Sequence, residues 1–124
     1  MWLLPIFGLI IGIILGSTLN YQIPPVYIKY LSIAVLASLD SVMGGVRAVF
    51  EKRFDGVVLI TGFFANGALA AILAYMGDRL GVDLYYAAVF VFGVRLFQNL
   101  AVIRHLLITR RRNRKGRRSE EYEQ

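Results

Sequence analysis

Residues 90–105 read FVFGVRLFQNLAVIRH, an apolar segment of helix length with three polar side chains near its centre. Those side chains are Arg95, Gln98 and Asn99. Charged and amide groups are costly in hydrocarbon, so a segment of this composition needs polar partners inside the protein. The identity of those partners decides how the chain folds.

Composition indicates an integral membrane protein with a cationic end. The chain has 124 residues, of which 57% are hydrophobic, and its mean hydropathy is +0.60. A soluble domain of this size has too little interior to bury so much apolar surface. Seven of the 14 Lys and Arg residues lie within residues 110–118, and without them the net charge falls from +6 to −1. The basic character therefore belongs to a short tail.

The residue types that support most catalysis are scarce. The chain has no cysteine, which excludes disulfides, thiolate nucleophiles and thiolate metal sites. His105 is the single histidine and cannot form a metal cluster alone. Asp40 could act as an acid or a base, but no second catalytic group with a clear role accompanies it. The sequence therefore predicts a protein that is not an enzyme and holds no metal or cofactor.

Four apolar segments each approach the roughly 20 residues that a helix needs to cross a bilayer. Short polar or glycine-containing links separate them, so neighbouring helices are expected to be antiparallel. The predicted fold is an all-α bundle of four transmembrane helices within residues 1–109, followed by a basic and acidic tail over 110–124 that is expected to be disordered. The predicted helices cover about residues 2–19, 26–49, 57–76 and 84–108.

Positive charges predict the orientation of these helices. Lys and Arg near helix ends stay on the cytoplasmic side, which places the tail there. Counting back through four spans also places the N-terminus and the link over residues 51–55 inside. Six tyrosines then fall at the outer boundary, as an interfacial aromatic belt would; they are Tyr21, Tyr27, Tyr30, Tyr75, Tyr85 and Tyr86.

The first segment has two further properties. It could be a cleaved signal peptide, but it lacks a basic leading region and a clear cleavage site, which favours a retained helix. It also carries Gly8, Gly12 and Gly16 at every fourth position, a spacing that lets another backbone approach closely. The partner of this helix-packing face is either another helix of the bundle, the more common case, or another protein.

Asp40 is the strongest anomaly in the second segment. It lies near mid-membrane, and Arg95 lies at a comparable depth in the fourth segment. A buried acid and a buried base at one depth are expected to pair, because each alone would cost several kcal/mol. The sequence predicts an interior polar cluster that faces away from lipid and consists of Asp40, Asn66, Arg95, Gln98 and Asn99. Such a cluster either fixes helix register or binds an ion, a proton or a polar headgroup.

The basic residues at the cytoplasmic boundary favour lipid binding. A membrane-tethered basic run lies beside anionic headgroups, and each charge near that surface contributes about 1 kcal/mol. Nucleic-acid binding is not expected, because tail charge alone supports it. The predicted interfacial set is Arg47, Lys52, Arg53, Arg110, Arg111, Arg112, Arg114, Lys115, Arg117 and Arg118.

Two blocks resemble the bacterial small basic protein family. They are YLSIAVLASLDSVMGGVRA, residues 30–48, and GFFANGALAAILAYMGDRLGVDLYYAAVFVFGVRLFQNLAVIR, residues 62–104. The run LGVDLYYAAVFVFGVRLFQN is the most distinctive part. The resemblance implies a short multi-pass protein of the bacterial cell membrane with no assigned activity and no catalytic residues to carry over. Genes of this family typically lie near cell-division and cell-wall genes, which implies an envelope role by association.

Two functions fit these features. The first is an assembly or scaffold protein that binds a membrane-protein partner or further copies of itself through helix one and the tail. The second is a small oligomeric transporter or channel with Asp40 and Arg95 along a polar path. A four-helix monomer has little room for a pore, so transport would require self-association.

Overall fold

The structure is a computed structural model that describes residues 3–122. This part of the chain is all-helical, with α1 at Leu4–Thr18, α2 at Pro25–Phe50, α3 at Gly56–Leu80 and α4 at Leu84–Tyr122. The second and third predicted helices agree with α2 and α3 to within four residues at each end. The fourth begins at the predicted residue.

Local sequence explains where these helices begin and end. Pro25 opens α2, where the missing N–H has no helical partner and the fixed φ suits the first turn. Asp55 caps α3 by accepting hydrogen bonds from the backbone N–H groups of Val57 at 2.8 Å and Val58 at 3.3 Å. Gly81 ends α3 in the left-handed conformation at φ 71°, which glycine adopts at little cost.

The fourth helix is longer than predicted. It continues to Tyr122 as one 39-residue helix, whereas the sequence predicted disorder after Thr109. The physical reason is that a helix already nucleated over an apolar segment gains one hydrogen bond per added residue and needs no core to continue. Arg, Lys and Glu are also good helix formers, and only Asn113 and Gly116 are weak ones among residues 110–118.

The first helix is shorter than predicted. It has 15 residues and is about 22 Å long, less than the roughly 30 Å of a hydrocarbon core. Three helices in the described part of the chain, α2, α3 and α4, are long and apolar enough to cross a membrane, instead of the four that the sequence predicted. Leu19 and the non-helical residues that follow belong to the link to α2.

The second helix is the centre of the bundle. It packs against α3, α4 and α1, and α3 also packs against α4, whereas α1 contacts only α2 among the described residues. Small side chains let the three long helices approach closely. The main cluster of buried apolar residues consists of Ile33 and Ala37 from α2, Ala70 and Ala74 from α3, and Ala88 from α4. Val42, Val46 and Ile103 are buried as well.

The glycines that pack inside the bundle are not those of α1. A Cβ added at Gly8, Gly12 or Gly16 would meet no atom of the described chain within 4 Å. The structure therefore does not show the more common alternative for this glycine face, which is packing against another helix of the bundle. Close approach occurs instead at Gly45, where a Cβ would lie 2.7 Å from a methyl group of Leu59.

Gly77 gives a direct test of this packing. A Cβ there would lie 2.5 Å from the Val82 carbonyl oxygen and 2.8 Å from Leu84 Cβ, where α3 turns into α4. Gly77→Ala is expected to destabilise the protein by about 1–3 kcal/mol, because backbone atoms must move. Gly116→Ala, where a Cβ meets nothing within 4 Å, is the control and is expected to be neutral or slightly stabilising. Equal thermal unfolding of both variants in detergent would contradict the packing.

Candidate functional site

Asp40 is the most deeply buried polar side chain in the described chain. It lies in the middle of α2 with 1% of its surface exposed, and its carboxylate faces α4. Asn99 donates a hydrogen bond from Nδ2 to Asp40 Oδ1 at 3.2 Å. Arg95 lies one turn earlier on α4, with Nη2 3.1 Å from Asp40 Oδ2. Two side chains of α4 thus hold one carboxylate of α2.

The two members of the ion pair have different surroundings. The Arg95 side chain is 51% exposed and its guanidinium carbon lies 5.7 Å from the Phe92 ring centre, whereas Asp40 is enclosed. Asp40 Oδ2 accepts no hydrogen bond within the described chain, so its contact with Arg95 is ionic without hydrogen-bond geometry. Removing Arg95 would therefore leave an enclosed charge without a partner, whereas removing Asp40 would leave a charge that is half exposed.

Asn99 extends the cluster toward one end of α2. Its Oδ1 accepts a hydrogen bond from Arg47 Nη1 at 3.4 Å, and Arg47 Nε donates to Glu51 Oε1 at 3.0 Å. Arg53 donates from Nε to the other Glu51 oxygen at 2.6 Å. Arg47 and Arg53 belong to the predicted lipid interface, and their contacts with Glu51 were not predicted. The sequence signal that could have revealed this ion pair is the i,i+4 spacing of Arg47 and Glu51.

Asn66 belongs to a neighbouring contact, not to the Asp40 cluster. It donates from Nδ2 to Ser41 Oγ at 3.0 Å, which joins α3 to α2. Ser41 follows Asp40 directly, but consecutive residues on a helix point about 100° apart. Asp40 therefore faces α4 while Ser41 faces α3, and the two polar contacts lie on different sides of α2.

Gln98 does not lie in the interior, contrary to the prediction. It is exposed on the outer side of α4, beside Phe97 and Ala101. It precedes Asn99 by one residue, so the helix rotates it away from the face that contacts Asp40. No other described side chain hydrogen-bonds to it.

A second set of polar side chains connects the helices at the opposite end of the bundle. Asp78 of α3 forms an ion pair with Lys29 and accepts a hydrogen bond from the Tyr30 hydroxyl. The Lys29 ammonium also lies 5.4 Å from the ring centre of Tyr85 on α4. Tyr30 and Tyr85, which the sequence assigned to an aromatic belt, thus also link three helices. The sequence does contain a signal for this group, because one basic residue, Lys29, and one acidic residue, Asp78, lie close to the belt tyrosines.

The basic residues of the predicted interfacial set lie at one end of the molecule. Arg110 donates a hydrogen bond from Nη2 to the Phe50 carbonyl oxygen at 3.2 Å, which joins the end of α2 to the start of the basic part of α4. The remaining basic residues of the tail are exposed along the last turns of α4. Within residues 3–122, no three His, Asp or Glu side chains are placed to hold a metal ion.

These features define a class: a small all-helical protein with three membrane-length apolar helices, held together by a buried acid–base contact. Comparison with known proteins supports a particular family. The family described as "Protein of unknown function (DUF1290)" matches residues 23–108. The chain belongs to this family of bacterial small basic proteins.

Two relatives show the extent of the similarity. The Bacillus subtilis "Small basic protein" is 54% identical over 110 residues, which cover 89% of this chain and 90% of that protein. An uncharacterised protein of Mycobacterium tuberculosis is 43% identical over 104 residues, which cover 82% of this chain and 86% of that protein. No solved structure matches the chain.

The asymmetry of the ion pair predicts unequal mutational effects. Arg95→Met is expected to cost about 3–5 kcal/mol, because it leaves the enclosed carboxylate of Asp40 unpaired. Asp40→Asn is expected to cost less, because the half-exposed guanidinium can turn outward and an amide can still bond with Asn99. The double variant is expected to cost less than the sum of the two single variants. Additive costs in reversible unfolding would show that the two residues do not interact.

Glu51 predicts a pH effect at the end of α2. Hydrogen bonds from Arg47 and then Arg53 hold the pKa of Glu51 below its usual value of 4.5. The stabilisation from Glu51 is therefore fully present above pH 4.5 and is lost as the pH falls through the lower, folded-state pKa. The difference in Tm between the wild type and Glu51→Gln is expected to shrink across that range. A difference that stays constant down to pH 2.5 or so would contradict this assignment.

Proposed function

We propose that this protein is a non-enzymatic, multi-pass protein of the bacterial cell membrane that acts as an assembly partner for envelope machinery of the cell-division or wall-synthesis kind. The enclosure of Asp40 carries the proposal. Its carboxylate is 1% exposed and is engaged by Asn99 and Arg95 of the same chain. A group enclosed in this way fixes helix register and has no open side for a substrate.

The outer surface supports the same role. Large apolar side chains are exposed along all four helices, and Phe64, Phe90 and Phe97 are each about 70% exposed. The glycine face of α1 is open at Gly8, Gly12 and Gly16. Small-residue faces of this type bind other helices in membranes. The polar groups thus hold the bundle together, and the helix surfaces remain free for partners.

The proposed topology has both termini in the cytoplasm. The basic tail and the link containing Lys52 and Arg53 lie on that side by the positive-inside rule. The hydrogen bond from Arg110 to Phe50 supports this, since it joins the tail to the same end of the bundle. The short helix α1 crosses with local thinning of the bilayer, an accommodation that short spans make at modest cost.

The tail binds anionic headgroups in this proposal. Arg110, Arg111 and Arg112 begin directly after the apolar part of α4, within a Debye length of the surface. Each charge so placed contributes about 1 kcal/mol. Lipid binding by these residues adds to anchoring and favours the cytoplasmic position of the tail.

A second candidate function is transport by an oligomer, and one observation favours it. Asp40, Asn99, Arg47 and Glu51 form a chain of polar contacts from the middle of α2 to its end. Asp40 Oδ2 also accepts no hydrogen bond from the described chain. A path that admits water to these groups in one state would suit a proton or a small ion.

Cysteine labelling separates the two functions, because the chain has no native cysteine. Single cysteines at Leu36, Ala65, Asn66 and Asn99 are treated with a membrane-impermeant thiol reagent from each side. The assembly role predicts protection at all four positions, while a control cysteine at Gln22 in the exposed link reacts from outside. Rapid labelling at two or more of the four positions would favour transport and contradict the proposal.

Partner capture tests the assembly role directly. A photoreactive residue at Gly12 in living cells is expected to give one discrete protein adduct, because that face is open. The same residue at Ile72, an exposed position on α3, is the control for random collision. Adducts of equal yield and pattern at both positions would contradict a specific partner on α1.

A further inference from the structure

The outer side of α4 carries an exposed amide within an apolar surface. Gln98 lies fifteen residues into α4, near the middle of its apolar part. It borders a shallow groove of about 530 Å³ that is otherwise lined by apolar side chains and glycine, including Phe90, Gly93, Phe97 and Ala101. If α4 crosses the membrane, as in the proposed function on which this inference rests, acyl chains surround the amide. They offer no hydrogen-bond donor or acceptor.

Several polar side chains on the other described helices already have partners within their own chain. On α1, the Ser17 and Thr18 hydroxyls already bond to carbonyl oxygens of their own helix. On α3, the Thr61 hydroxyl bonds to carbonyl oxygens one turn earlier, and Asn66 is engaged with Ser41. Gln98 has no hydrogen-bond partner among the described side chains, so the Gln98 amide of a second copy is an equally free partner for it.

We propose that a second copy of this chain occupies the groove, with Gln98 of the two copies hydrogen-bonded across a two-fold axis normal to the membrane. An amide carries both donors and an acceptor, so it is complementary to itself. All copies insert with the same orientation, so a two-fold axis along the membrane normal brings position 98 of one copy to position 98 of the other.

The neighbouring residues permit the required approach of the helices. Gly93 lies five residues before Gln98 and Ala101 three residues after it, and both line the same groove. A Cβ added at Gly93 would meet no atom of the described chain within 4 Å, so this position is open to a neighbouring helix. Small residues on both sides of a polar residue are typical of packed transmembrane helix pairs. Arg95 points instead toward Asp40, which keeps the two guanidinium groups away from the axis.

Energy transfer between labelled copies tests this interface. Donor- and acceptor-labelled full-length chains, each labelled at Ser119→Cys, are reconstituted into liposomes over a range of protein-to-lipid ratios. Gln98→Leu is expected to weaken association about three- to thirtyfold, the range that interhelical polar contacts give in membranes. The variant should fold normally, because no described side chain hydrogen-bonds to Gln98. Gly93→Leu is expected to weaken association further, by filling the groove.

Ala68→Leu is the matched steric control, since Ala68 is exposed on α3 and lies outside the groove. It is expected to leave association unchanged. A wild-type chain that stays monomeric at every ratio would overturn the proposal. Wild-type association of both Gln98→Leu and Gly93→Leu would overturn it as well.

Disulfide cross-linking between two copies tests the position of the two-fold axis independently. A cysteine at Val94, which lines the groove, is expected to cross-link two copies in membranes under mild oxidation. A cysteine at Ile72 on α3 is expected to remain reduced. Cross-linking at Ile72 but not at Val94 would place the contact elsewhere and overturn the proposal.

The outcome for this interface is distinct from that for the assembly role. A monomeric chain that still gives a discrete adduct at Gly12 would refute the two-fold interface and leave the assembly role intact. A dimer that forms through Gln98, with no adduct at Gly12, would support the two-fold interface and contradict the assembly role.

Discussion

A carboxylate enclosed in the middle of an apolar helix is the constraint on which this structure depends. Asp40 is 1% exposed, and without a cation and a hydrogen-bond donor its charge would be prohibitively costly there. Arg95 and Asn99 provide both from one face of α4, which fixes the rotation and depth of α4 against α2. The alanines that line the core then allow the helices to approach closely. Apolar packing alone would not select this register, because alanine surfaces fit together in several ways.

Much of this arrangement follows from the sequence by simple physics. The three long helices are recognisable because apolar segments of membrane length are bounded by proline, aspartate and glycine. The contact between Asp40 and Arg95 is predictable because opposite charges at equal depth in an apolar medium attract strongly. The length of α4 is not predictable in the same way. Composition shows that residues 110–122 cannot form a core, but a helix that is already nucleated can continue without one.

The remaining differences arise from helix rotation. Depth can be counted along a sequence, but the direction of a side chain depends on which face each helix turns toward its neighbours. Gln98 and Asn99 lie at nearly the same depth but on different faces of α4. Asp40 and Ser41 likewise lie at nearly the same depth but on different faces of α2. The predicted single cluster of five residues is therefore divided in the structure among the α4 side of α2, the α3 side of α2 and the outer surface. The contact of Arg47 with Asn99 also depends on tertiary packing and has no marker in local sequence.

This division gives the polar residues two separate roles. The groups that face inward are paired with one another, from Asp40 through Asn99 and Arg47 to Glu51, and they determine the shape of the bundle. Gln98 faces outward and has no described partner, although any apolar residue would fit that position in a monomer without the cost of an exposed amide. An amide at this depth is therefore better explained by a surface that becomes buried on association than by the needs of the isolated chain. The inward pairs define the fold of the single chain, and the outward amide is the contact at which we propose that two copies meet.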